Sequence, residues 1–117
     1  MDESTLSALR DELLRQRTHL RAEIETQGAD PDSDDLTFAQ DSGFADRSHS
    51  TEERSRLISV VRALRSNLLD VERALAKIDA GSYGICERCG NPISTERLEA
   101  LPWAMLDIGC KQKADAR

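Results

Sequence analysis

Aromatic side chains are scarce in this chain: its 117 residues include two phenylalanines, one tyrosine and one tryptophan, or 3%. Hydrophobic residues of all kinds reach 38%. Because a thick globular core is built from large apolar side chains, this composition excludes one, and the length leaves room for one domain of ordinary size. We therefore expect something other than a large core to hold the fold together.

Long hydrophobic runs and excess positive charge are also missing. No run approaches the ~20 apolar residues that a helix needs to cross a bilayer, and the opening MDESTLSALRDELL lacks the features of a signal peptide. Charged residues make up 32% and the net charge is −6, which repels phosphate backbones. We expect a soluble, cytoplasmic protein that has no membrane partner and no direct specific DNA binding.

The three cysteines suggest a metal site. Cys86 and Cys89 form a C-x-x-C pair in which two thiolates can grip one cation, and Gly90 lets the chain turn tightly beneath them. Cys110 lies at the spacing expected of the last ligand of a zinc site. So few cysteines without a leader argue against a disulfide framework and for the reducing cytosol, where thiols are available for metal.

A redox role for the C-x-x-C pair is the alternative interpretation. A redox pair normally opens a helix in a βαβ unit, whereas Gly90, Asn91 and Pro92 follow this one. The local sequence therefore favours metal binding.

The remaining ligand position, three residues before Cys110, is Asp107 and not a cysteine. A carboxylate can bind zinc at roughly 2.0–2.2 Å, although a hard oxygen ligand is unusual in a structural site. The sequence predicts a Zn2+ site of Cys86, Cys89, Cys110 and Asp107, in which the carboxylate leaves zinc weakly bound or absent.

Catalysis is not predicted. His19 lies in a helical segment and His49 precedes one, so no histidine accompanies the cysteines. A metal with four protein ligands has no open position for a substrate. If Asp107 did not coordinate, a water in the fourth position would be the one route to an enzyme.

Leucine periodicity predicts two long helices. The first helix is expected from Asp2 to about Gln27 with Ser4 as its N-cap, and a capping box of Ser50 and Glu53 opens the second. The apolar seam of the first helix comprises Leu6, Leu9, Leu13, Leu20 and Ile24. The heptad seam of the second comprises Leu57, Val61, Leu64, Leu68, Val71, Leu75 and Ile78.

Two helices of similar length joined by a reversing loop predict a mainly α fold, an antiparallel two-helix coiled-coil hairpin. We place this hairpin in residues 1–80, with helices at about 2–27 and 50–80. A small C4-type zinc-finger-like knuckle with a short C-terminal helix, from Trp103 to about Ala116, follows in residues 81–117.

The connection over residues 28–49 is an acidic loop with six aspartates. A loop of this length in a small domain is usually functional or disordered. Three apolar residues in it, Leu36, Phe38 and Phe44, favour a functional tip, and packing of the three onto the ends of the helices is the alternative.

The segment YGICERCGNPISTERLEALP closely resembles the knuckle of the DksA/TraR zinc-finger family, whose pattern is Y/F-G-x-C-x-x-C-G-x-x-I-x-x-x-R-L-x-A-x-P followed by C-x-x-C. The matching residues are Tyr83, Gly84, Cys86, Cys89, Gly90, Ile93, Arg97, Leu98, Ala100, Pro102 and Cys110. The helical hairpin with an acidic tip is similar as well, so the resemblance covers nearly the whole chain.

This resemblance implies a non-enzymatic transcription regulator. Members of the family bind bacterial RNA polymerase, insert the coiled-coil tip through its secondary channel and alter promoter complexes without touching DNA. An acidic rod suits a channel that admits anionic nucleotides and displays basic surface.

The family's tip pattern, D-x-x-D-x-A, falls on Gly43, Asp46 and Ser48 when counted back from Cys86. Asp46 matches, Gly43 and Ser48 do not, and Asp41 is a candidate substitute for the first aspartate. The resemblance therefore implies a polymerase-acting tip of Asp46, Ser48 and Asp41 that binds without the full effect of the best-known members.

Some members act with the alarmone ppGpp through basic residues near the knuckle and on the helices. At the corresponding positions this chain has Leu101, Asp70 and Lys111, so one basic residue of three is kept. The resemblance thus argues against a response to ppGpp.

A different class of function stays open. The leucine face of the hairpin and the knuckle could serve as a structural or interaction module that dimerises or binds another protein. A hairpin that buries its own leucines is expected to be a monomer, whereas a dimeriser should lose helicity on dilution.

Overall fold

The computed structural model describes residues 1–32 and 51–116. It contains two long helices, α1 over Glu3–Thr26 and α2 over Thr51–Ala80, and two short helices, α3 over Thr95–Ala100 and α4 over Ile108–Asp115. The described residues form no strand beyond an isolated antiparallel bridge. The predicted mainly α fold is confirmed.

The N-cap of helix α1 lies two residues before the predicted one. The Asp2 carboxylate accepts a hydrogen bond from the Thr5 N–H at 2.7 Å, and the Asp2 carbonyl accepts from the Leu6 N–H at 3.0 Å. Ser4 lies inside the helix, so its assignment as the N-cap was wrong. Aspartate and serine cap equally well, and the residue nearer the chain start gains the longer helix.

A glycine with a positive φ follows the end of each long helix. Gly28 has φ 87° and Gly81 has φ 79°, a region that a side chain at Cβ disfavours. Beyond each glycine the next N–H reaches back five residues, from Ala29 to the Ile24 carbonyl at 3.1 Å and from Ser82 to the Lys77 carbonyl at 2.9 Å. Both are Schellman motifs, in which these N–H groups satisfy carbonyls that the helix ends would otherwise leave unpaired.

The chain divides into two compact units that each contain parts of both long helices. One unit is Met1–Gln16 with Asp70–Arg117, and the other is Arg17–Leu69. The early part of α1 thus groups with the late part of α2, and the late part of α1 with the early part of α2. This is the pairing of an antiparallel helical hairpin.

The predicted seams supply the interior of both units. None of the seam residues of α1 and α2 is exposed, and the fully buried side chains include Leu13, Ile24, Val61 and Val71. Burial of apolar area at leucine spacing stabilises the helices, since most helical stability in proteins comes from the packing of an apolar face. Among the described residues, no helix is long and apolar enough to span a membrane.

The segment after α2, residues 81–116, which we call the finger, packs around a small apolar cluster that it shares with α1. Helix α3 has Ser94 as its N-cap, whose hydroxyl accepts a hydrogen bond from the Arg97 N–H at 3.2 Å. Its one buried side chain is Leu98. The finger cluster comprises Leu9 of α1 with Cys86, Ile93, Leu98 and Cys110, and Tyr83, Ala104 and Leu106 pack against it.

The predicted terminal helix from Trp103 was wrong in its first five residues. Helix α4 starts at Ile108, and the preceding carbonyls serve other partners: the Met105 carbonyl accepts from the Glu87 N–H at 2.9 Å, and the Leu106 carbonyl accepts from the Arg97 guanidinium at 2.9 Å. A helix from Trp103 would break both contacts.

Candidate metal centre

The C-x-x-C pair lies on a tight turn between two short extended pieces. Ile85 and Pro92 form the antiparallel bridge, the Cys86 N–H donates to the Asn91 carbonyl at 2.8 Å, and the Gly90 N–H donates to the Cys86 carbonyl at 3.0 Å. Gly90 has φ 77°, which the turn requires. This geometry brings both thiols to one side of the turn.

The other half of the centre is the start of α4. Asp107 is the N-cap, with φ −70° and ψ 168°, and Cys110 lies in the first turn. One carboxylate oxygen of Asp107, Oδ1, accepts from the Cys110 N–H at 2.7 Å. The second oxygen, Oδ2, accepts from the Cys89 thiol at 3.0 Å.

The structure brings the four predicted ligands together. The ligand atoms of Cys86, Cys89, Asp107 and Cys110 all lie within 4.8 Å of one another. A tetrahedral zinc ion with Zn–S bonds of about 2.3 Å places its sulfurs about 3.8 Å apart, so the cluster closes on one ion with small movements. Cys86 and Cys110 are buried, Asp107 is partly buried and Cys89 is exposed.

Burial and hydrogen bonds determine which of the four ligand side chains carry a proton. Burial favours the neutral Cys86 thiol, but hydrogen bonds from backbone N–H groups, the strongest that of Cys89, outweigh it and lower its pKa to about 7. Burial and the neighbouring thiols raise the pKa of Cys110 to about 12. The pKa of Cys89 is raised because its thiol donates to Asp107, and the Cys110 N–H lowers the pKa of that carboxyl. A metal entering the centre must therefore displace thiol protons.

On the apolar side of the centre, the backbone conformation and close packing favour glycine at position 84. Gly84 has φ 82°, and a Cβ there would lie 3.1 Å from the Met1 Cε atom and 3.4 Å from the Leu98 Cδ1 atom. Beside it, the Tyr83 hydroxyl donates to the Pro102 carbonyl at 2.8 Å, and burial raises the pKa of Tyr83 to about 12. The Tyr83 hydrogen bond links the knuckle to the segment that follows α3.

Glu87, between the two cysteines, forms ion pairs that were not predicted from the sequence. Its carboxylate lies 2.9 Å from the Lys77 ammonium and 3.3 Å from the Arg73 guanidinium, both on α2. The signal was present: two basic residues four apart face the same way on a helix, and an acidic residue follows within the knuckle. Glu87 therefore ties the C-x-x-C turn to α2.

The other predicted functional residues are placed as follows. Asp41, Asp46 and Ser48 lie outside the described residues. Lys111 is exposed on α4 and forms an ion pair with Asp115 at 3.4 Å, so its ammonium already has a carboxylate partner.

Comparison with known proteins identifies the family. The prokaryotic dksA/traR C4-type zinc finger matches residues 81–116. The RNA polymerase-binding transcription factor DksA of Escherichia coli is 33% identical over 115 residues, covering 98% of this chain and 67% of the relative. Its counterpart in Caulobacter vibrioides is 28% identical, covering 96% of this chain and 72% of the relative.

A solved structure has a similar fold. The transcription factor DksA2 from Pseudomonas aeruginosa superposes with a TM-score of 0.76 at 28% identity, covering 98% of this chain and 86% of that one. The resemblance drawn from the knuckle is confirmed by these matches. On its identity to the Escherichia coli relative over nearly its full length, the chain belongs to the DksA/TraR family of zinc-finger proteins.

Proposed function

We propose that this protein is a non-enzymatic bacterial transcription regulator that binds RNA polymerase. The observation that carries the proposal is the match along 98% of the chain to a relative named as an RNA polymerase-binding transcription factor. The matched region includes the hairpin as well as the finger, so the likeness extends to both functional parts of such a factor.

The chain inserts the tip of its coiled coil into the secondary channel of the polymerase, with Asp46, Ser48 and Asp41 at the working end. It acts without sequence-specific DNA binding. Its net charge of −6 supports this, because an acidic surface is repelled by duplex DNA and attracted by a basic channel.

The finger holds one Zn2+ through Cys86, Cys89, Cys110 and Asp107. The support is their spacing within 4.8 Å and a donor set of three thiols and one carboxylate. Zinc at this position would clamp the turn after α2 to the start of α4. It supplies structure and no chemistry, since all four positions are filled by protein.

A monomer that acts in the cytoplasm is the form we propose. The seam residues that a coiled-coil dimer would need, such as Leu13, Ile24 and Val71, are already buried within one chain. This counts against the alternative of an interaction module that dimerises through its leucine face. A response to ppGpp is not part of the proposal, because Lys111 alone keeps its basic character and is paired with Asp115.

Co-purification with RNA polymerase core enzyme, with zinc measured on the same sample, tests the proposal. We expect about one chain per enzyme and one zinc per chain. Absence of binding by a zinc-loaded, folded chain would contradict the polymerase assignment and favour the interaction module.

The tip assignment has a separate test. Asp46→Ala is expected to bind polymerase as the wild type does but to lose its effect on transcription in vitro. Asp11→Ala, which removes the same charge from an exposed position on α1, serves as the matched control. If both variants regulate normally, Asp46 is not the working residue.

A further inference from the structure

The two carboxylate oxygens of Asp107 face different partners. Oδ1 accepts from the Cys110 N–H at 2.7 Å, whereas Oδ2 accepts from the Cys89 thiol at 3.0 Å. The first contact belongs to the helix and the second to the ligand cluster. A single side chain thus connects the folding of α4 with the metal centre.

The Oδ1 contact has the geometry of a helix N-cap. Asp107 is extended, at φ −70° and ψ 168°, and its carbonyl accepts the first bond of α4, from the Lys111 N–H at 2.9 Å. Cys110 is the third helical residue, the position that an N-cap oxygen normally binds. The capped N–H is that of a buried ligand, so the cap also holds the Cys110 backbone in place.

Helix α4 has little else to stabilise it. It has eight residues, one of which is Gly109. Cys110 is its one buried residue, and Ile108 is 63% exposed. Isolated helices of fewer than about 12 residues are marginal in water. Besides the exposed Lys111–Asp115 ion pair and the Arg88 hydrogen bond to the Cys110 carbonyl at 3.4 Å, the cap and the burial of Cys110 are the main contacts of this helix.

A cysteine could not perform both tasks in this way. Sulfur is a weak hydrogen-bond acceptor, and a thiolate bound to a metal offers one atom for the ion and the N–H together. A carboxylate has two oxygens, and here they point to the two tasks separately. The oxygen that faces Cys89 is free to exchange the thiol hydrogen bond for a bond to a metal.

We propose that Asp107 is a bifunctional ligand, whose Oδ2 completes the coordination of zinc while Oδ1 remains the N-cap of α4. The thiol proton of Cys89 leaves to solvent when the ion takes its place between Sγ and Oδ2. Capping of α4, and with it the position of Cys110, is independent of the metal. The inference rests on the zinc site proposed above and does not depend on polymerase binding.

Three substitutions at Asp107 separate the two tasks. Asp107→Asn keeps a good cap and weakens the ligand, Asp107→Cys strengthens the ligand and weakens the cap, and Asp107→Ala removes both. Each variant of the full chain is measured twice. Zinc affinity is obtained by competition with a chromophoric chelator, and the helicity and Tm are measured after zinc has been removed.

Zinc affinity should fall in the order Asp107→Cys, wild type, Asp107→Asn, Asp107→Ala. The wild type should bind at least about tenfold more tightly than Asp107→Asn, because even outer contacts of a metal site contribute that much. In the zinc-free state, Asp107→Asn should match the wild type. Zinc-free Asp107→Ala should melt roughly 2–8 °C lower and lose helicity equivalent to α4.

Two outcomes would overturn the inference. Equal zinc affinity of the wild type and Asp107→Asn would remove Oδ2 as a ligand while leaving a zinc site of three cysteines. Equal Tm and helicity of the zinc-free wild type and Asp107→Ala would remove the metal-independent cap. A wild type that binds no more zinc than the triple variant Cys86→Ser, Cys89→Ser, Cys110→Ser, which lacks every thiol, would instead refute the proposed zinc site.

Discussion

The long helices and the finger achieve stability in opposite ways. In the helices, apolar residues repeat at coiled-coil spacing, and each one contributes through buried area regardless of its exact partners. In the finger, residues 81–116, few side chains are buried, and specific contacts such as the Asp107 cap and the Glu87 ion pairs take over. We therefore expect a truncation in the seams to change stability alone, whereas a truncation in the finger should also change the metal centre.

The largest change in stability is expected when one buried residue of each region is truncated. Ile24 of α1 and Leu98 of α3 are both 0% exposed, and replacing either with alanine should cost about 2–5 kcal/mol of unfolding free energy. Ile24→Ala should keep the zinc affinity of the wild type, whereas Leu98→Ala should lower it because Leu98 packs in the cluster with Cys86 and Cys110. Denaturant titration and chelator competition measure the two effects.

Equal losses of zinc affinity in the two variants would show that the long helices and the finger are one cooperative network. Leu69→Ala, at a position 57% exposed, is the control and should change the free energy of unfolding by less than about 0.5 kcal/mol.

Zinc binding should depend steeply on pH. The raised pKa values of Cys89 and Cys110 mean that both thiols carry protons near pH 7 in the metal-free state. Zinc binds thiolates, so these two protons must leave, and below the Cys86 pKa of about 7 a third proton leaves with them. The apparent affinity should therefore rise about a hundredfold per pH unit near pH 8 and more steeply near pH 6. Affinity that is constant over this range would show that the thiols are ionised before the metal arrives.

Two glycines of the finger should respond to alanine with opposite signs. Gly84→Ala places a Cβ at positive φ and 3.1 Å from the Met1 Cε atom, and should cost about 1–2 kcal/mol. Gly109→Ala fills a position inside α4 whose nearest contact, Asp107 Oδ1 at 3.6 Å, is an ordinary one. It should stabilise the protein by about 0.5–1 kcal/mol, as measured by thermal unfolding. The same sign for both variants would contradict this description of the finger backbone.

The smallest effect is expected at Glu87. Glu87→Gln removes the charge that pairs with Lys77 and Arg73, and since the carboxylate is partly exposed the loss should be no more than about 1 kcal/mol and should shrink in high salt. Glu99→Gln, on the exposed face of α3, is the control with the same charge change. A loss at Glu87 that is unaffected by salt would refute the ion-pair explanation.

The same ion pairs predict the sign of a pH effect on stability. The Lys77 hydrogen bond lowers the pKa of Glu87, so the folded state holds the ionised form more strongly than the unfolded state does. The stabilisation is present above the ordinary glutamate pKa and is lost as the pH falls through the lowered value. Glu87→Gln should therefore reduce the difference in Tm between pH 7 and pH 3.

Much of the fold could be predicted because its interior is periodic. Leucine spacing identified both long helices, since a coiled-coil seam needs apolar residues at fixed intervals. Gly81 likewise marked the end of α2 through its tolerance of positive φ. The N-cap of α1 could not be chosen from the sequence, because Asp2 and Ser4 are both good capping residues. The hydrogen bond from the Thr5 N–H to Asp2 identifies the cap only in the structure.

The finger was predictable in its ligands and not in its supporting contacts. The spacing of Cys86, Cys89 and Cys110 pointed to Asp107 as the remaining ligand, and the four residues do meet. Its role as the N-cap of α4 was missed, since the pattern of apolar residues extended the helix back to Trp103. Irregular segments are fixed by single hydrogen bonds between distant residues, which leave no periodic signal.

Competition for RNA polymerase core enzyme is the most direct test of the proposed function. A fluorescently labelled sample of the Escherichia coli relative is bound to core enzyme and titrated with this chain in its zinc-loaded form. We predict full displacement at an occupancy of one chain per enzyme, because under the proposed function the two hairpins would compete for one site. Simultaneous binding of the two proteins, or no binding by this chain, would contradict insertion into the secondary channel.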